Sequence, residues 1–169
     1  MIVRREWAMP SKNTFSIKPI TKLIEKYIEH KSVIVDPFAN GSKLGTITND
    51  LDTTYDTDYH LDALEFLKLM ETNGVDVVLY DPPYSERQLY ECYNPTEQSI
   101  GLDNAKNKYL KDIKQEFNRM VKIGGYVLSF GWSSEGVGEK YGFELVEVLT
   151  VAHGGWHNDT ICTVEKKVS

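Results

Sequence analysis

Apolar residues recur along the 169-residue chain with two periods, and the switch between them predicts strands and helices in turn. Ser32–Val35 is a short β-branched run ending at Asp36-Pro37, and Thr46–Thr48 is a second, ending at Asn49-Asp50. Val75–Tyr80 is nearly continuous in apolar residues, as befits a buried strand, and it stops at Asp81. Tyr126–Phe130, Phe143–Val151 and Thr160–Val164 complete the predicted strands. A helix near Thr21–His30 places Ile20, Leu23, Ile24, Tyr27 and Ile28 on one side, with Pro19 in its first turn, where a missing N–H is harmless. Asp62–Met70 is another helix, with Asp62 as N-cap and Glu65 as the second half of a capping box. The longest helix, Asp103–Val121, carries Tyr109, Leu110, Ile113, Phe117 and Met120 on its apolar side and ends at Gly124-Gly125. Residues 1–14 read as irregular and residues 85–102 as loop.

Strands alternating with helices, followed by a closing pair with no helix between them, define an α/β class with a doubly wound sheet. That sheet is expected to be mostly parallel, with one antiparallel edge strand. The length suits one well-buried core, so residues 1–169 are expected to form a single domain. No apolar run approaches the length of a membrane span and no apolar leader opens the chain, so a cytoplasmic protein with no membrane partner is expected. The two cysteines, Cys92 and Cys162, lie far apart and fit free thiols in a reducing compartment. Four histidines and no clustered cysteines leave no metal site to expect; His153 and His157 are separated by Gly154-Gly155, which spoils a helical ligand pair. Nineteen basic against 25 acidic residues give a net charge of −6, which argues against a long electrostatic footprint on nucleic acid. A local basic patch remains open, drawn from Lys18, Lys22, Arg87 and the run Lys106, Lys108, Lys111, Lys114, Arg119 and Lys122; solvated helix faces are the plainer reading of that run.

Three carboxylates, Asp36, Asp50 and Asp81, each follow a predicted strand. In an open α/β sheet the carboxyl ends of the strands line the ligand crevice. Asp-Pro and Asn-Asp are also ordinary turn starters, so Asp36 and Asp50 have a structural reading as well. Asp81-Pro82-Pro83-Tyr84 is the most specific feature. Two prolines stiffen the loop and leave the Pro82 carbonyl free to accept, beside a carboxylate and an aromatic ring. Such a pocket suits a flat ring bearing an exocyclic amino group. In Asp36-Pro37-Phe38-Ala39-Asn40-Gly41-Ser42, Gly41 permits a positive φ and Asn40 tolerates one. The chain has neither GxGxxG nor a lysine-bearing phosphate loop, which points to a ligand with adenosine but no pyrophosphate. Asp50 would accept from the ribose hydroxyls and Asp62 from an adenine amino group.

These motifs, in this order and across nearly the whole chain, resemble the S-adenosylmethionine-dependent DNA amino-methyltransferases, in particular short adenine-N6 enzymes of phages and prophage-like elements. Asn13-Thr14-Phe15-Ser16-Ile17-Lys18-Pro19-Ile20 resembles the family's amino-terminal cofactor motif, implying Phe15 and Lys18 as cofactor contacts. Asp36, Pro37, Phe38, Asn40 and Gly41 correspond to the loop around the methionine part of the cofactor, Asp50 to the ribose acid and Asp62 to the acid near the cofactor adenine. Asp81-Pro82-Pro83-Tyr84 is the catalytic motif, with Asp81 also beside the cofactor. Gly125–Trp132 resembles the strand behind the active site. The resemblance implies a Rossmann-like methyltransferase fold, S-adenosyl-L-methionine as cofactor, DNA as partner and a bacterial or phage-infected cell as the setting.

Two departures stand out. Asn40 replaces the family's first loop glycine, and only 13 residues separate Asp36 from Asp50, so the intervening helix must be very short or missing, with the amino-terminal segment available to fill the gap. The family's large target-recognition domain has no counterpart beyond Ser85–Leu102, so recognition is minimal, absent, or supplied by a homodimer mate or a separate partner. The expected reaction is site-specific methylation of adenine N6, with the base flipped from a duplex or taken from a single strand. A catalytically silent or partner-dependent subunit and an N4-cytosine or RNA amino-methyltransferase remain the alternatives. Arg87 is a candidate phosphate contact, and Trp132 and Trp156 suit either a substrate groove or packing at the core or rim.

Overall fold

The carboxyl ends of the strands gather the predicted chemistry, because all but one strand of the sheet run the same way. The structure is a computed structural model; it describes residues 1–82 and 102–169, with the side chains of the second segment described from residue 107. In chain order the elements are β1 (Ile2–Trp7), a 3-10 turn (Thr14–Ser16), α1 (Lys18–Ile28), β2 (Ile34–Asp36), β3 (Ile47–Thr48), α2 (Ala63–Lys68) and β4 (Val75–Tyr80). There follow α3 (Leu102–Met120), β5 (Val121–Gly131), a second 3-10 turn (Glu139–Tyr141), β6 (Phe143–Ala152) and β7 (Thr160–Lys167). One seven-stranded sheet results, in the order β1-β6-β7-β5-β4-β2-β3.

Each face of the sheet is covered by the helices whose apolar stripes match it. Ile20, Leu23 and Ile24 of α1 pack on Ile34, Val77, Leu79, Leu128 and Leu149. Phe66 and Leu67 of α2, with Ile113, Phe117 and Met120 of α3, pack on Val35, Val78 and Val127 of the other face. Because side chains alternate along a strand, β4 sends Val77 and Leu79 to α1 and Val78 and Tyr80 to α3.

Several expectations need correcting. Residues 1–14 are not irregular: Ile2–Trp7 is an edge strand parallel to β6, pairing Ile2 with Glu147 and Trp7 with Ala152. Charged residues hide its period, and its support comes from the far end of the chain. Buried Glu147 accepts from Arg4 of β1 (2.9 Å) and from Lys26 (2.6 Å) and Tyr27 (2.7 Å) of α1, tying three elements together. The antiparallel strand is not at an edge. β7 pairs antiparallel with both β5 and β6, and β1 lies outside β6, so the reversed strand is internal. The helix before Gly124-Gly125 ends earlier, at Met120, and β5 starts at once. The glycines sit where β4 and β5 slip register between Val75 and Val77, and a Cβ on Gly125 would lie 2.8 Å from the Asp76 carbonyl oxygen. Asp62 caps α2 as expected, accepting from the backbone N–H of Leu64 and Glu65, whereas Glu65 pairs with Lys68 instead of closing a capping box.

No helix connects β2 to β3, the second of the two outcomes, very short or missing, that the spacing left open. Buried Asn49 holds the connection in place: its amide donates to the carbonyls of Pro37 (3.1 Å) and Leu61 (3.0 Å), and its oxygen accepts from the Leu61 N–H (2.9 Å). Replacing it with alanine strands three backbone groups, so Asn49→Ala should lose about 2–3 kcal/mol in denaturant unfolding. A loss below about 0.5 kcal/mol would show that water or neighbours replace these bonds.

Candidate active site

Asp36 and Asp81 end the adjacent strands β2 and β4, and both are desolvated. Asp36 is fully buried; its Oδ1 accepts from the Phe38 N–H (3.2 Å), while its Oδ2 has no partner. Burial pushes its carboxyl well above the ordinary range, and the charges of Asp81 and Asp50 push it further. Asp81 Oδ1 is likewise buried without a partner. Burial pushes this carboxyl up to about 7, against the pull of a hydrogen bond from the Thr14 side chain. Among the described residues neither acid forms an ion pair.

The backbone around these acids is built for close approach. Asn40 and Gly41 adopt φ of +45° and +77°, so both anticipated left-handed residues turn the loop after β2. The loop is braced from β3: Asp50 Oδ2 accepts from the Asn40 N–H (2.8 Å) and Oδ1 from the Asp52 N–H (2.9 Å). Opposite it, the amino-terminal segment is pinned by the Phe15 ring against Phe130, with centroids 5.0 Å apart, and by the Thr21 hydroxyl donating to the Phe15 carbonyl (2.6 Å).

Between loop and segment lies a cavity of about 330 Å³, whose walls include Thr14, Phe15, Phe38, Asn40, Gly41 and Asp81. A second cavity, of about 620 Å³, opens on the α3 side, with Tyr80, Pro82, Lys111, Lys114, Ser129 and Trp132 among its walls. Both volumes suit small-molecule ligands. Consecutive residues thus face different cavities, Asp81 the first and Pro82 the second.

Of the residues singled out from the sequence, Phe15, Phe38, Asn40, Gly41 and Asp81 come together on one wall system. Asp36 and Pro37 lie buried beneath it. Lys18 is exposed on the first turn of α1 and does not line this cavity. Asp50 braces the loop. Asp62 is engaged at both oxygens, with Oδ1 capping α2 and Oδ2 accepting from the Tyr109 hydroxyl (2.9 Å). Pro83, Tyr84, Arg87 and Cys92 lie outside the described residues, as do all but the last residue of the stretch 85–102 expected to be loop and the Lys106 side chain. Thr14 escaped the sequence reading, although it sits inside the amino-terminal motif; a lone threonine carries no signal until its contact with Asp81 is seen. Among the described residues no group of three His, Cys, Asp or Glu side chains could hold a metal, and no helix is long and apolar enough to cross a membrane.

This sheet, with helices on both faces and a ligand-sized cavity at its carboxyl edge, is the Rossmann-like fold of class I S-adenosylmethionine-dependent methyltransferases. Solved structures bear this out. TrmN from Thermus thermophilus superposes with a TM-score of 0.59 at 16% identity, over 90% of this chain and 49% of that one. The 1,6-didemethyltoxoflavin-N1-methyltransferase of Burkholderia thailandensis, solved with bound 1,6-didemethyltoxoflavin and S-adenosylhomocysteine, gives 0.58 at 11% identity, over 90% of this chain and 78% of that one. SMU.1697c of Streptococcus mutans, solved with SAH, gives 0.52 at 11% identity, over 86% of this chain and 96% of that one. The chain therefore spans about half of TrmN and most of the other two. No protein-family model and no curated protein matches the sequence.

A carboxyl whose folded pKa lies above its unfolded value binds its proton more tightly in the folded state. Its contribution to stability therefore grows as pH falls from about 7 towards 4, and its charged form is a burden above 7. Asp81→Asn removes that burden, at most ~4 kcal/mol. Thermal unfolding should show the variant several degrees more stable than the parent at pH 8, with the gap narrowing below pH 7 and closing towards pH 4. A gap independent of pH would mean that Asp81 is not desolvated.

Proposed function

We propose that the chain is an S-adenosylmethionine-dependent methyltransferase acting on adenine N6 in DNA. The observation that carries this reading is the Asp81 carboxylate, buried with one oxygen unpartnered on the cavity wall, where the adjoining Pro82 faces a second cavity. Uncompensated buried acids call for a cationic ligand. S-adenosylmethionine supplies that charge as a sulfonium and an ammonium, and its sulfonium methyl is the electrophile. The cavity of Phe15, Phe38, Asn40 and Gly41 would hold it, and two of the structural relatives were solved with its product form bound. Asp50 and Asp62 would reach its ribose and adenine only if they give up part of their present bonds.

The second cavity would take the acceptor base, with Tyr84 stacked on its ring. N6 is a weak nucleophile because its lone pair is delocalised. The Asp81 carboxylate and the Pro82 carbonyl would each accept an N6 hydrogen, turning the lone pair towards the methyl. As positive charge builds on nitrogen these acceptors bind more tightly than in the ground state, which lowers the barrier. One N6–C bond forms, the S–CH3 bond breaks, and one N6 proton leaves. With a pKa near 7, Asp81 is suited to receive that proton itself. Thr14 holds the carboxylate in place.

Transfer from isotope-labelled S-adenosylmethionine to duplex DNA, single-stranded DNA and RNA, with nucleoside mass analysis, tests the reading. Labelled N6-methyladenine is expected, abolished by Asp81→Ala. Labelled N4-methylcytosine, or label confined to RNA, would replace it with a sister activity; no transfer despite cofactor binding would mean a partner-dependent subunit. Tyr84→Ala should lower kcat far more than cofactor affinity. An equal loss in both would refute stacking. Since the acceptor is the ionised acid, kcat/KM should fall as pH drops below an apparent pKa at or under 7, because a cationic cofactor lowers that of Asp81.

A further inference from the structure

All three tryptophans of the chain are exposed, and all three stand at the carboxyl edge of the sheet. Trp7 ends β1 at 65% exposure, Trp132 follows β5 at 52%, and Trp156 lies between β6 and β7 at 104%. A folded protein gains by covering such side chains, so three in one region mark a surface with a partner. Trp156 is thrown outward by a turn in which Gly154 and Gly155 adopt φ of +70° and +58°. It lines a cavity of about 300 Å³ together with Trp132, and Trp132 also lines the larger cavity that reaches Pro82. Three lysines stand around that larger cavity, Lys111 and Lys114 on α3 and Lys140 beyond β5. Lys114 lies 3.6 Å from Glu135. On a chain of net charge −6 this is a local concentration of positive charge next to exposed aromatic faces.

We propose that Trp156, Trp132 and these lysines form a track for an unpaired nucleic-acid strand leading to Pro82, so that the catalytic domain itself grips the strand around its target. The inference rests on the reading that the acceptor is a base in nucleic acid. Indole faces recognise bases by stacking, without regard to sequence, while ammonium groups pair with the phosphates between them. A duplex keeps its base faces covered, so the same surface favours a single strand. An apolar peptide would use the indoles but offer no anion to Lys111 and Lys140; Lys114 already has Glu135.

The test is the anisotropy of a labelled single-stranded oligodeoxynucleotide carrying one adenine, and of its duplex, titrated with the full chain at several salt concentrations. Methyl transfer to the same oligonucleotides is measured in parallel. The single strand is expected to bind more tightly than the duplex. Trp132→Ala and Trp156→Ala should each weaken binding roughly 5- to 100-fold, with Trp→Phe restoring most of it. Lys111→Gln and Lys140→Gln should each reduce the salt slope by about 1. These side chains are solvent-facing, and an unchanged melting curve verifies the fold of each variant. Absent binding, preference for the duplex, or tryptophan variants that bind like the parent would overturn the track. Tryptophan-dependent binding without methyl transfer upholds the track and removes the proposed reaction; transfer that ignores both tryptophans does the reverse.

Discussion

Burying Asp36 and Asp81 at the ends of neighbouring parallel strands, with no positive charge among the described residues paired with either, is the constraint around which the cleft is organised. A desolvated carboxylate is unfavourable and shifts towards its neutral form unless something offsets it. Here the offsets are partial: one N–H from Phe38 for Asp36, one side chain from Thr14 for Asp81. The remaining demand is for a cation or for donors that approach from the cavity. The acids are thus costly on their own terms, and on the proposed reading a positively charged ligand offsets that cost, a common relation between stability and function in enzyme sites.

The architecture around those acids follows from a short connection. With 13 residues between Asp36 and Asp50 there is no room for a helix, so the loop after β2 turns back on two left-handed residues and is held by Asp50 and Asn49 from β3. The missing mass is replaced from the other end of the chain. β1 fastens the amino terminus along β6, the Arg4–Glu147–Lys26 cluster fixes its height against α1, and the following segment brings Thr14 and Phe15 across the cavity mouth. A cofactor-sized wall is made from local turn chemistry on one side and from long-range strand pairing on the other.

The carboxyl edge of the sheet also separates two cavities. Alternation along β4 sends Leu79 towards α1 and Tyr80 towards α3, and the next two residues continue it, with Asp81 and Pro82 on the walls of different cavities. Neighbouring side chains diverge in this way all along a strand, and at a strand end the divergence opens onto cavities instead of packed helices.

Much of this was legible in the residues. The helix and strand periods located α1, α2, α3, β2, β3, β4, β6 and β7 to within a few positions, because apolar spacing and capping are short-range properties. The left-handed turn at Asn40-Gly41 and the acids at the strand ends were legible for the same reason. Tertiary structure alone decided the rest. β1 exists because Ile2–Trp7 finds a partner strand at residues 147–152, and β7 lies inside the sheet because β5 takes its second edge. The capping role of Asp62 was local and legible, but its second bond, from the Tyr109 hydroxyl, and the brace that Asp50 gives the Asn40 N–H depend on donors that only folding brings close. The proton affinity of Asp81 belongs to the same category: a carboxyl's chemistry is written in the sequence, but its desolvation depends on which distant side chains shut out water.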